Sequence, residues 1–319
     1  MPAPAVQPTP DGPAVTGAPA LFLQCHTTPK MQMSRTETRV RAAERKIVVY
    51  RPATAGTDVR IEYAVQGAGP AICILPSLAR SGRDYDTVAA LLARAGFRVL
   101  RPEPRGIGES RGPMDALDLH HFAADVAAVL DQENTGPLVI VGHAWGSQPA
   151  RMLAADRPDL VLGVVMAAAS AGKMPPGSNE QPYARLRDAI DGAGDYSLPE
   201  ETRIDCLRRA FFAPGSDPRV WLDGWYTEAH DAQSHARRVT PIDEYFSAGD
   251  RVPILDLQAE YDAVVVPNVM KPYLGERVTV QTIRGAGHAM APEQPQAMAD
   301  AIAAFALRVY RQQSDAGNR

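Results

Sequence analysis

The stretch Val139 to Ser147, VIVGHAWGS, limits what this chain can fold into more than any other. An apolar run, PLVIV over Pro137–Val141, ends in Gly142-x-Ala144-x-Gly146, after which the pattern turns helical. A buried strand that enters a helix through two flanking glycines has to turn sharply. The residue at the apex takes strained backbone angles, and side chains at the glycine positions would collide with the turn. The apex side chain then projects above a sheet edge. The next amide sits at a helix N-terminus, where it can stabilise an anion. Turns of this kind present nucleophiles. Here the apex residue is Ala144, which has no lone pair to offer. Ser147 falls about one turn too late in the following helix and points away from the apex.

The flanking chain supplies the sheet that such a turn requires. Arg45–Tyr50 and Val59–Val65 alternate and read as a hairpin. Ala71–Leu75 (AICIL) is continuously apolar, as suits a strand buried on both faces. Strands follow at Phe97–Leu100, Pro137–Val141, Leu160–Met166, Val252–Leu257 and Val278–Ile283. Helical patterns lie between or after them at Tyr85–Ala95, His120–Glu133, Gly146–Ala155, Val266–Tyr273 and Pro292–Arg311. This alternation predicts an α/β protein with a mostly parallel sheet and helices on both faces. It breaks between 171 and 249, where helical segments at Tyr183–Ile190, Glu200–Phe212 and Arg219–Arg237 have no clear strand among them. The expected organisation is a core of 41–170 and 250–319 that carries a helical cap of 171–249.

Composition narrows the function classes. The 319 residues are 45% hydrophobic and 22% charged, ordinary values for a globular protein. The net charge of -4 leaves no basic excess for a nucleic-acid backbone. Cys25, Cys73 and Cys206 are far apart and suggest neither a disulfide framework nor a zinc site. No apolar run is long enough to span a membrane, and the Pro- and Ala-rich N-terminus lacks a signal peptide's basic region. A cytoplasmic protein with residues 1–40 disordered or loosely packed is expected, with Met31 and Met33 as further candidate starts.

Four stretches, in this order, resemble the α/β-hydrolase superfamily, in particular its capped esterase, lactonase and dehalogenase-like branch. They are Arg101–Ser110 (RPEPRGIGES), Ile140–Gly146 (IVGHAWG), Asp256–Pro267 (DLQAEYDAVVVP) and Gly285–Pro292 (GAGHAMAP). The resemblance covers residues 45 to 312. It implies an eight-stranded, mostly parallel sheet flanked by helices with a helical cap insertion. It also implies a nucleophile position at Ala144, a general base at His288 and an acid at Asp262 that orients His288, with Glu260 on the same loop as the rival acid. The order nucleophile, acid, base is the one this fold uses. The implied oxyanion donors are the backbone amides of Trp145 and Leu78. The family's usual His-Gly is replaced by Pro76-Ser77 in the loop before Leu78, which leaves that loop's shape open and lets Ser77 add a hydroxyl.

Other residues carry less. His143 reads as a packing or supporting residue. His120 and His121 start a helix and read as surface, as do Arg208 and Arg209. Trp221, Trp225 and Tyr226 are either the core of the cap or the lining of an apolar substrate pocket. The expected function is hydrolysis of a small carboxylic ester or lactone through an acyl-enzyme, without metal or organic cofactor. With alanine at position 144 the chain is expected to bind substrate and to be nearly inert. Two origins of the alanine stay open: a serine changed to capture unhydrolysed substrate, or a natural non-catalytic ligand-binding homologue. A cofactor-free enzyme that uses His288 as base is a third reading. Epoxide hydrolase and dehalogenase readings require aspartate at 144.

Overall fold

The computed structural model describes residues 42–52, 56–178 and 182–317. The N-terminal segment 1–40, with Cys25, Met31 and Met33, lies outside the described residues. Eight strands form one sheet: β1 (Glu44–Tyr50), β2 (Val59–Gly67), β3 (Ala71–Leu75), β4 (Arg98–Pro102), β5 (Leu138–His143), β6 (Val161–Ala167), β7 (Ile254–Ala259) and β8 (Val278–Ile283). Their order is β1-β2-β4-β3-β5-β6-β7-β8. β2 runs antiparallel to both β1 and β4, and the remaining pairs are parallel. The mostly parallel eight-stranded sheet expected from the sequence is present.

The central strands show why continuous apolar runs were needed. In β3, Ala71, Cys73 and Leu75 face one core layer, while Ile72 and Ile74 face the other. In β5, Leu138 and Ile140 join the first layer, and Val139 and Val141 the second. The side-chain period of two thus serves both faces at once. The first layer is closed by α2 (Leu119–Gln132) and α3 (Ser147–Asp156). The second is closed by α1 (Asp86–Arg94) and the last helix, Pro295–Gly317, through Met298, Ile302 and Phe305. The parallel register pairs Leu75 with Gly142. The C-terminal ends of β3 and β5 therefore finish level, and the loops after them start side by side.

Between β6 and β7 lie α4 (Arg187–Ala193), α5 (Glu200–Ala210), α6 (Thr227–Val239) and α7 (Ile242–Tyr245), with no strand among the described residues. α8 (Met270–Leu274) precedes β8, and the last helix is α9. Three helical expectations are corrected. Arg219–Arg237 is not one segment: a 3₁₀ turn at Pro218–Trp221 is separated from α6. There the carbonyls of Trp221 and Asp223 accept hydrogen bonds from Arg80, and that of Trp221 also accepts from Trp225 Nε1, in place of helical amides. The helix expected over Val266–Tyr273 begins only at Met270, because Asn268 has a positive φ of 61°. α9 starts at Pro295 rather than Pro292, since Gln294 still donates its amide to Met290 O in a turn and proline suits a first helical position.

The loop Arg101–Ser110 is anchored below the sheet edge. Arg105 makes a two-pronged contact with Asp125 of α2, at 2.8 and 2.9 Å, and Tyr50 Oη donates to the same carboxylate at 2.5 Å. Both charged side chains are almost fully buried. Removing one partner strands the other charge in the interior. Asp125→Ala is expected to lower the unfolding free energy by about 3–5 kcal/mol, read from urea denaturation, and a loss below about 1 kcal/mol would mean the pair is not a closed buried unit.

Candidate active site

The turn after β5 has the geometry the glycines implied. Ala144 sits at its apex with φ 47°, in the left-handed region that a residue with a Cβ enters only at a cost. A Cβ on Gly142 would lie 2.4 Å from the carbonyl oxygen of Gly146. A Cβ on Gly146 would lie 2.5 Å from Pro76 O and 2.6 Å from Leu75 O. The elbow thus packs directly against the loop that leads to Leu78, and only glycines permit that approach. Ala144 and Leu78 are half-buried, and Trp145 is buried with its ring edge-on to Phe122. Ser147 is fully buried in the first turn of α3, and its hydroxyl has no partner among the described residues.

The loops after β7 and β8 bring Asp262 and His288 together. Asp262 lies 3.0–3.1 Å from His288 Nδ1, and both side chains are buried. The carboxylate also accepts the amides of Val264 and Val265 at 2.9 and 3.0 Å. Donation from Nδ1 to Asp262 leaves Nε2 as the basic nitrogen of the ring. Glu260 goes elsewhere: its carboxylate is exposed and accepts the amide of Gly285 at 2.8 Å.

His143, next to the apex, holds the elements together. Its Nε2 is 2.7 Å from the carbonyl oxygen of His288, which can only accept. The proton is therefore on Nε2, and Nδ1 accepts from Tyr85 Oη at 2.5 Å. The three loops at the sheet edge are thus joined through one neutral imidazole. Burial, then the neighbouring His288, push the pKa of His143 down to about 3.

The helical insertion covers this site. Trp221 is fully buried and packs near His143, Phe211, Phe212 and Trp225. Phe211 also lies against the His288 ring, centroids 5.6 Å apart. Trp225 and Tyr226 are half-buried. Tyr226 gives its amide to Ala79 O at 3.2 Å. His120 is half-buried and bridges Asp156 and Glu244, so it is more than a surface residue, while Arg208 and Arg209 are exposed. His121 too is more than a surface residue: it is half-buried and completes the capping box of α2 with Asp118.

Four further residues matter that sequence reasoning does not single out. Arg80, from the loop after β3, is buried with its guanidinium over both Trp221 and Trp225 at 4.8 Å, and it pairs with Asp84. Glu293 accepts the amides of Gly287 and Ala213, so one carboxylate ties the histidine loop to the end of α5. Tyr85 and Gln233 complete the set. Tyr85 sits in an apolar stripe that any core helix would show. Gln233 lies on the predicted helical segment with nothing in its neighbours to mark it.

Residues 70–295 match the model of the alpha/beta hydrolase fold family, and the chain belongs to that family. Its relatives include Epoxide hydrolase A of Mycobacterium tuberculosis, 34% identical over 131 residues, a match covering 39% of this chain and 40% of the relative. The sn-1-specific diacylglycerol lipase ABHD11 of Mus musculus is 26% identical over 263 residues, covering 74% of this chain and 80% of the relative. The chain spans less than half the length of the epoxide hydrolase relatives from Mycobacterium tuberculosis and Sus scrofa. In fold it is similar to a thermophilic esterase from Thermogutta terrifontis, with a TM-score of 0.64 at 20% identity over 83% of this chain and 99% of that one. No described helix is long and apolar enough to cross a membrane.

A pH signature follows from His143. Its folded-state pKa lies below the ordinary histidine value of 6.5. The stability contributed by its neutral form is complete above that value and is lost as pH falls from 6.5 toward 3, by up to about 1.4 kcal/mol per pH unit. NMR titration should show the His143 ring signals flat from pH 8 to pH 5. A midpoint near 6.5 would contradict the buried, doubly bonded imidazole.

Proposed function

We propose that this site is laid out for acyl transfer on a small carboxylic ester or lactone, with position 144 as the place of a serine nucleophile. The observation that carries the reading is the His288–Asp262 pair, its carboxylate held by two further amides, on loops bonded to an elbow that retains left-handed geometry at Ala144. In this reading the scissile carbonyl oxygen lies at the amides of Leu78 and Trp145. A hydroxyl at 144 would pass its proton to His288 Nε2, attack the carbonyl carbon and expel the alkoxide, which takes that proton. Water activated by the same nitrogen would then release the acid. Asp262 stays ionised and fixes the ring. Residues 171–249 act as the cap, and Trp221, Trp225 and Tyr226 shape its inner side. Ala144 supplies no nucleophilic atom, so this chain binds substrate without turning it over, whether the alanine is a replacement or the natural residue of a binding protein.

A second reading is favoured by the epoxide hydrolases among the relatives. It places an aspartate at 144 that would open an epoxide by alkyl transfer. The two readings part at the elbow. Ala144→Ser is expected to hydrolyse short aryl esters or lactones and to label with a fluorophosphonate at residue 144. Relative to it, the alanine chain should be slower by about 10⁶-fold. If Ala144→Ser neither labels nor turns over while Ala144→Asp opens styrene oxide, the acyl-transfer reading fails. If both variants are inert, the ligand-binding reading replaces it.

A further inference from the structure

We infer that Gln233 is a substrate-binding donor, and that the substrate carries a second oxygen acceptor on the carbon α or β to its scissile carbonyl. Gln233 belongs to α6 of the insertion and is completely buried. Its Oε1 accepts the amide of Ala79 at 2.7 Å. Because that amide can only donate, the orientation of the carboxamide is fixed and Nε2 is the atom left over. The backbone carbonyl of Gln233 accepts from Trp145 Nε1 at 3.1 Å. The residue is therefore wedged between the two segments that carry Leu78 and Trp145. Its Nε2 is buried with no partner among the described residues.

A buried amide donor without a partner costs about 1–3 kcal/mol, and native proteins leave few of them. Their concentration here is informative. Of the five buried polar side-chain atoms without partners among the described residues, four belong to residues on the elbow helix or the insertion: Ser147, Gln148, Trp221 and Gln233. Gln233 differs from the others in being locked from both ends. Its acceptor atom is consumed one residue beyond Leu78, and Nε2 shares a carbon with that atom. An oxygen received by Nε2 thus lies close to a carbonyl held at Leu78. An unsubstituted aliphatic ester offers nothing there. A 2-oxo or 3-oxo ester offers an acceptor in reach. Specificity of this kind is steep, because an analogue lacking the acceptor leaves the donor unpaired.

The inference rests on the ester-site reading, and the test separates the two. The Ala144 chain is titrated calorimetrically with ethyl hexanoate, ethyl 2-oxohexanoate and ethyl 3-oxohexanoate. At least one oxo ester should bind about tenfold tighter than the plain ester. In Gln233→Met that preference should fall to near unity, whereas a merely structural role would weaken all three esters alike. If Gln233→Met fails to fold, Gln233→Glu at pH 9 keeps the acceptor for Ala79 and removes the donor, with the same expected loss of preference. Equal binding of the three esters, or a preference that survives substitution, overturns the inference and leaves the ester site standing. Failure of all three esters to bind overturns both.

Discussion

The site depends on one buried imidazole. His143 takes a hydrogen bond from Tyr85 and gives one to the carbonyl of His288, so its two nitrogens join the elbow to a helix on one side and to the histidine loop on the other. Neutrality is essential to this arrangement. A protonated ring would have to donate from both nitrogens in a place without solvent, and Tyr85 would face it with its hydrogen inward. The low pKa that burial imposes keeps the bridge in one tautomer. The position of the His288 backbone is therefore set from below, by a group that need not touch substrate.

From above, the insertion is fastened to the same loops by charge-assisted contacts instead of by apolar packing alone. Arg80 reaches from the loop after β3 to two carbonyls and two indole faces of the insertion. Glu293 binds amides of the histidine loop and of the α5 terminus with its two oxygens. Gln233 joins Ala79 and Trp145. Each contact lies beside a segment that the proposed mechanism uses. The insertion and the loops it packs on thus share one set of polar contacts around an aromatic interior.

Much of this was legible in the chain. The sheet and its two faces follow from continuously apolar strands such as AICIL and PLVIV, because a strand buried on both sides has no room for polar residues. The elbow follows from Gly142 and Gly146, whose missing Cβ atoms are the local condition for the turn. Asp262 and His288 follow from their places in loops after the last strands, and the family motifs are local in sequence. The helix boundaries differ for more than one reason: Arg80, from a distant segment, captures the carbonyls of Trp221 and Asp223, whereas the positive φ of Asn268 and the turn from Gln294 to Met290 delay the starts of α8 and α9.

What only the tertiary structure decided is which side chains meet. Sequence places Asp262 on one loop with a rival, Glu260, two residues away; folding sends Glu260 to the Gly285 amide and Asp262 to His288. Tyr85 and Gln233 carry no local mark, since their importance lies in partners 58 and 154 residues away. Local patterns decide backbone conformation because propensity and burial act over a few neighbours. The arrangement of the site depends on atoms from the loops after β3, β5, β7 and β8 and from the insertion, and that proximity exists only once the sheet has brought the strand ends level.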